Sequence, residues 1–311
     1  MASAVVSYLP VTNCTGKCPR FGLFPGQRTL KPVTLYGYRI TLRRYLVPRF
    51  GHYKMTAIRH EHVQAYVAGL VREGRLSAKS IRDQVVPLRR MLNVAVQWGY
   101  LSINPAEKLA LPRIEHTEMP FLTPPQMRLL IEQTEPEWRG LIALGAMCGL
   151  RKGEAIGLCW DAVDFDEHRL DVKRSMWGGK LQVPKTPKSS AKLPMPATVE
   201  DLLFERMTLS PASEMDLVYC RADGTPLRPD WVNRGVLLPA LERAGLPRVT
   251  FHGLRHSFVA ALIGENLPLK VIQEMARHAS IQTTLDVYGH LQPEAKVNAA
   301  QALEEAVWGG G

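Results

Sequence analysis

Residues 251–290 read FHGLRHSFVAALIGENLPLKVIQEMARHASIQTTLDVYGH, and this stretch decides how the rest of the chain is read. His252 and Arg255 are three apart, so on a helical turn both side chains leave the same side. His278 and Tyr288 are separated by a polar, β-branched run, SIQTT, that suits a turn followed by a short helix. Upstream, GLRKGE places Arg151 two residues after Gly149, which reads as a helix C-cap aiming the arginine off a rigid end. Between them, VPKTPKSS carries Lys185. Taken singly, each residue has an ordinary explanation: a solvated arginine, a tyrosine at a core edge, a chance His-x-x-Arg. Taken as a set, two guanidiniums, an ammonium and two imidazoles around one phenol can hold a phosphodiester, neutralise its transition state and displace an alcohol from it.

In this order and these contexts the segments resemble the tyrosine recombinase (phage integrase) family. Its signature is an arginine in a GLR-x-GE context, a lysine on a β-hairpin, His-x-x-Arg, a second histidine or a tryptophan, and a tyrosine nine or ten residues later. The likeness runs over roughly residues 29–308, and HASIQTTLDVYGHL is similar to the ending of integrases from phages and integrative elements. The resemblance implies a catalytic set of Arg151, Lys185, His252, Arg255, His278 and Tyr288, with Glu154 as a supporting carboxylate. It also implies a fold that is mainly α with a small antiparallel β-sheet, a helical core-binding domain being followed by an α+β catalytic domain.

The roles follow from what each step needs. Arg151 and Arg255 would clamp the non-bridging oxygens, because guanidinium is planar, bidentate and charged at all relevant pH. Tyr288 would attack, displacing the 5′ oxygen and leaving a 3′-phosphotyrosyl link, as the resemblance implies. A phenol with an ordinary pKa near 10 needs a proton acceptor, for which His252 is the best placed. Lys185 would protonate the departing 5′ alkoxide, His278 would bind the phosphate or orient Tyr288, and Glu154 would anchor its neighbours or sit as a surface carboxylate. Tyr219 is the fallback nucleophile. Since the phosphotyrosine stores the energy of the broken bond, neither ATP nor a metal is expected. No Walker-type glycine loop, H-E-x-x-H or cluster of carboxylates occurs.

Composition points the same way. A formal net charge of +10 with pI ≈ 9.5 favours a polyanionic partner, here double-stranded DNA attachment sites. No run approaches the roughly 18 apolar residues needed to span a membrane, and the N-terminus lacks a basic leader region, so a soluble cytoplasmic protein is expected. Five scattered cysteines argue against a disulfide framework. Cys14 and Cys18 form a C-x3-C pair, but a structural zinc needs four ligands and none follows before His52, so free thiols and no metal are expected.

Along the chain, residues 1–28 read as an irregular extension, too short for the full arm-binding domain that many integrases carry. Residues 29–115 read as a helical DNA-gripping domain. Leu35, Tyr38, Leu42, Tyr45 and Leu46 share one face, Val63, Tyr66, Val67 and Leu70 another, and a third run follows Ser77 as N-cap. Between them lie Arg39, Arg43, Arg44, Arg72, Lys79, Arg82, Arg89 and Arg90, suited to DNA backbone. Pro87 should kink or break its helix. Residues 116–311 read as the catalytic domain, its first helix opening at Thr123 to Gln126 with a capping box. Extended runs at 169–173, 181–185 and 191–195 suggest one three-stranded antiparallel sheet with Lys185 at a hairpin tip. The tail beyond Pro293 carries an apolar stripe at Val297, Ala300, Leu303 and Val307, suited either to a neighbouring protomer or to its own domain.

The leading expectation is an integrase that integrates or excises a mobile element. Recombination needs four active sites, hence a homotetramer on DNA, with host or element-encoded DNA-bending proteins as further partners. A Xer-like resolvase and a type IB topoisomerase-like strand transferase are the alternatives within catalysis; a DNA-binding protein that has lost catalysis is the alternative outside it.

Overall fold

The computed structural model describes residues 32–114, 120–182, 191–265 and 267–285, with residues 304, 307 and 308. They divide into two compact units, the division falling between Thr117 and Glu118.

The first unit is helical throughout. Helix α1 (Pro32–Thr41) runs through a π-helical turn at Leu42–Leu46 into α2 (Val47–Phe50), and α3 (His60–Glu73) and α4 (Ala78–Gln97) complete it. The apolar stripes become its core: Leu42, Leu46, Phe50, Val63, Val67, Ile81, Val85, Leu88 and Leu92 are all buried. Ser77 caps α4 by accepting from the Ser80 amide at 3.2 Å, while Gly74 ends α3 in the left-handed region at φ +63. One polar pair enters this core, the Tyr66 hydroxyl donating to Gln84 Oε1 at 2.6 Å.

Of the kink or break expected at Pro87, the break does not occur: α4 runs from Ala78 to Gln97 with Pro87 inside it. The ring removes one amide and crowds the Asp83 carbonyl, at a cost of about 3 kcal/mol. However, Pro87 is buried, as are Val85 and Leu88, and several apolar residues each worth about 1.5–3 kcal/mol of burial hold the flanking turns on the core.

The second unit is built around α6 (Arg139–Ala146), whose residues from Gly140 to Ala146 are all buried. Before it come α5 (Pro124–Glu132) and a 3-10 turn at Pro136–Trp138; after it comes the short α7 (Lys152–Ala155). Gln126 Oε1 accepts from the Thr123 amide at 2.9 Å, closing the start of α5. Then follow strands β1 (Val163–Asp164), β2 (Arg169–Val172), β3 (Ser175–Trp177), β4 (Lys180–Gln182) and β5 (Ala191–Pro194). The chain returns to helices α8 (Ala197–Leu209), α9 (Pro229–Trp231), α10 (Leu238–Arg243), α11 (Phe251–Gly264) and α12 (Leu269–Ala276). Both α11 and α8 pack on α6. The described residues are thus mainly helical with small antiparallel sheets.

The strands pair differently from the expectation. The three-stranded sheet has order β1-β2-β5, with Leu170 opposite Val163 on one side and Leu193 on the other. The run at 181–182 pairs instead with Ser175–Trp177 as a separate hairpin. Gly178 and Gly179, at φ +58 and +75, explain it: two consecutive residues in the left-handed region make the tight turn whose twist joins adjacent strands. Among the described residues, no helix is long and apolar enough to cross a membrane, and Cys148, Cys159 and Cys220 are buried free thiols. Cys14, Cys18 and most of the tail lie outside the described residues, as do Lys185 and Tyr288.

Candidate active site

Three peptide segments meet at the carbonyl of Gly149. The first is the turn after α6, where Gly149 has φ +60 and a Cβ would sit 2.5 Å from the Phe258 ring. Only glycine fits there, and the Leu150 amide reaches back to the Leu144 carbonyl to close the turn. The second is α11: Arg255, 1% exposed, donates from Nη1 to the Gly149 carbonyl at 2.5 Å and from Nη2 to the Ala276 carbonyl. The third is the end of α12, where Arg277 Nη2 donates to the same Gly149 carbonyl at 3.1 Å.

Arg151 leaves this turn as the N-cap of α7, its side chain 46% exposed. Glu154 holds it: Oε2 accepts from the Arg151 amide at 2.8 Å and Oε1 from Arg151 Nη1 at 2.9 Å. Oε2 also accepts from Arg277 Nη2 at 2.8 Å. Burial opposes the charge on Glu154, but Arg277 and Arg151 outweigh it and hold the carboxyl below its ordinary range. Glu154, its side chain 12% exposed, thus ties Arg151 to Arg277 through its two oxygens.

His252 sits in the first turn of α11, which Thr250 caps by accepting from the Gly253 amide at 3.1 Å. Its ring is exposed and meets the His256 ring edge-on at 4.6 Å. Desolvation, then His256, Arg255 and Arg151, push its pKa down to about 4. His278 follows the last turn of α12, its Nδ1 2.9 Å from the Thr284 hydroxyl. Desolvation, with Arg255 and Arg151 next, brings it to about 4 as well. Both imidazoles are therefore neutral at pH 7. Burial and repulsion from Arg151 and Arg277 lower Arg255 to about 9, which still leaves it charged.

The structure thus brings together Arg151, Glu154, His252, Arg255 and His278, five of the seven residues singled out from the sequence. It adds two that the sequence reading passed over, Arg277 and His256. Each is the other half of an Arg-His dipeptide, RH at 255–256 and at 277–278, and that repeated pairing was the available signal. His256 Nε2 is buried without a hydrogen-bond partner among the described residues. Tyr219, the fallback nucleophile, is fully buried, and burial raises its pKa further. It lies against Trp138 and under Arg206, out of reach of any DNA strand.

Comparison with known proteins adds to this geometry. The model of the phage integrase family matches residues 120–295, and that of the phage integrase N-terminal SAM-like domain matches residues 27–71. The tyrosine recombinase XerC-like protein of Caldanaerobacter subterraneus is 28% identical over 309 aligned positions, covering 88% of this chain and 78% of that protein. The ICEBs1 integrase of Bacillus subtilis is 26% identical, with the same shares covered. Among solved structures, the Tn1549 transposon integrase in complex with circular intermediate DNA superposes with TM-score 0.76 at 20% identity, over 89% of this chain and 96% of that one. A lambda integrase dimer bound to a COC′ core site gives 0.66 at 18%, over 84% and 73%. With the first family model spanning more than half of its length, the chain belongs to the phage integrase family of tyrosine recombinases.

Proposed function

We propose that this protein is a site-specific DNA recombinase that integrates or excises a mobile element through a 3′-phosphotyrosine intermediate. The observation that carries the reading is the convergence of Arg151 and Arg255 on the imidazoles of His252 and His278, close enough that both arginines lower the pKa of both rings, in a chain of this family. In the first step the Tyr288 oxygen bonds to phosphorus as the P–O5′ bond breaks; the phenolic proton goes to His252, and Lys185 gives a proton to the leaving 5′ oxygen. Attack by a 5′ hydroxyl from the partner strand reverses both transfers and frees Tyr288. No net bond energy is lost, so the cycle runs without ATP or metal. Arg151 and Arg255 hold the non-bridging oxygens, and His278 hydrogen-bonds the phosphate or orients Tyr288.

Residues 29–115 serve as the core-type DNA-binding domain and 116–311 as the catalytic domain, with residues 1–28 as an extension. Arg39, Arg43, Arg44, Arg72, Lys79 and Arg90 are exposed and suit phosphate contacts. Arg82 and Arg89 also brace the fold, since their Nε atoms donate to the carbonyls of Pro112 at 2.8 Å and Ala106 at 3.0 Å, tying down the segment after α4. The active form is a homotetramer on double-stranded attachment sites in the cytoplasm, assisted by DNA-bending proteins. The XerC-like relative supports a second reading, a Xer-like resolvase working by the same chemistry.

Incubation with duplexes bearing the junctions of the encoding element tests the first reading. Wild-type protein should give a covalent, protease-sensitive adduct and recombinant products, and Tyr288→Phe should bind the same DNA without any adduct. An adduct with Tyr288→Phe refutes the assignment of the nucleophile; recombination of replicon-dimer junctions alone favours the second reading.

A further inference from the structure

Arg277 is not needed by any step above, yet it occupies the most constrained position in the site. Its backbone lies in the left-handed region at φ 53, ψ 45, which glycine adopts freely and an arginine adopts only at a cost. Its side chain is 7% exposed. A buried guanidinium in a strained backbone persists where its contacts over-determine it, and those contacts join all the parts of the site. Nη2 donates to Glu154 Oε2 at 2.8 Å, the oxygen that also holds the Arg151 amide. It donates as well to the Gly149 carbonyl, which Arg255 shares. The Arg277 carbonyl accepts from Arg151 Nη2 at 3.2 Å, and the next residue is His278.

We propose that Arg277 is a positioning residue for the strand-transfer reaction, a buried strap that fixes the turn carrying His278 against the turn carrying Arg151 and so sets the spacing of the phosphate-binding groups. It acts through Glu154 and the Gly149 carbonyl. Nε and Nη1, although buried, have no partner among the described residues, so the hold comes from Nη2 and the backbone carbonyl. The proposal rests on the recombinase reading for its chemistry and on geometry alone for its contacts.

The test uses the full chain and a nicked suicide duplex that traps the adduct. Arg277→Gly relieves the backbone and removes the strap, so the protein should stay folded and bind the duplex within about twofold of wild type. Adduct formation should slow by about 10²-fold, the usual effect of misplacing reacting groups by an ångström. In a Glu154→Gln background the same substitution should cost clearly less than it does alone, since one anchor of the strap is already weakened there. Arg277→Lys should recover part of the rate. Arg277→Gly cleaving within about threefold of wild type, or losing as much in the Glu154→Gln background as alone, would overturn the proposal. Failure of the wild type to form an adduct would refute the recombinase reading instead. The strap is then read without DNA, in a thermal-unfolding cycle of the two substitutions: non-additive shifts in Tm support it and additive shifts overturn it.

Discussion

Replacing Glu154 with alanine should destabilise the second unit far more than loss of one surface ion pair. Two interactions are cut. The pair with Arg151 is half in solvent and is worth about 0–1 kcal/mol. The pair with Arg277 joins side chains 12% and 7% exposed. Removing one partner there strands a buried cation, which typically costs about 3–5 kcal/mol. The second term decides the outcome. For a unit of about 190 residues, each kcal/mol moves Tm by about 2–4 °C, so Glu154→Ala should lower it by about 6–20 °C. Calorimetry on the full chain would read this as a shift of one transition. The double variant Glu154→Ala with Arg277→Met should recover much of the loss, because no unpaired charge then remains buried. A drop of less than about 2 °C for Glu154→Ala, or a double variant as unstable as the sum of its parts, would refute the reasoning.

Gly149→Ala should cost about 2–5 kcal/mol in urea unfolding, from the left-handed backbone and the 2.5 Å approach to Phe258; Gly178→Ala, which meets nothing within 4 Å, should cost only the backbone part, and equal losses would argue against the packing account. His252 and His278 titrate near 4 in the fold against 6.5 ordinarily, so between those values the unfolded chain holds protons that the fold lacks. Stability should therefore be full above pH 6.5 and fall as the pH drops toward 4, with protonation of the depressed Glu154 adding loss of the same sign at lower pH; His252→Asn and His278→Asn should each flatten the slope of the urea midpoint between pH 6.5 and 4, and an unchanged slope would contradict the assignment. Lys185→Ala should slow cleavage by about 10²- to 10⁴-fold, and a substrate with a 5′-bridging sulfur, whose leaving group needs no proton, should rescue it but not Arg151→Ala; equal rescue of both would sink the division of roles.

Helices were the legible part of the fold because their stripes report burial directly: Leu42, Leu46, Val63, Val67, Ile81 and Leu88 were readable from spacing and all are buried. Strand pairing was less legible. Three short extended runs carry no record of which pairs with which, and the Gly178–Gly179 pair, the one local signal, suits a break between strands as readily as a hairpin turn. At Pro87 a strong local penalty does not break the helix, because tertiary packing outweighs it. In the site, Arg151, Glu154, His252, Arg255 and His278, read from their motifs, lie together, while Arg277 and His256 beside them were passed over. Neither falls on an apolar period, and the left-handed backbone that marks Arg277 has no signature in the sequence.

One electrostatic fact links the perturbed groups. Arg151, Arg255 and Arg277 surround Glu154, leaving two positive charges in excess where desolvation strengthens their field. Loss of solvent first, and then neighbouring positive charge, bring Arg255 to about 9 and both His252 and His278 to about 4. The imidazoles are thereby kept neutral, and among the described residues neither ring is hydrogen-bonded to a carboxylate. On the proposed reading, a phosphodiester held between Arg151 and Arg255 would supply the missing negative charge and relieve the repulsion among the arginines. The same charge would raise the basicity of His252, the proposed acceptor of the Tyr288 proton. Preorganised cations would then do two things at once: hold the substrate's charge, and strengthen the base when substrate is present. A protein built this way should gain stability on binding its DNA, and a thermal-unfolding midpoint unmoved by cognate duplex would refute that coupling.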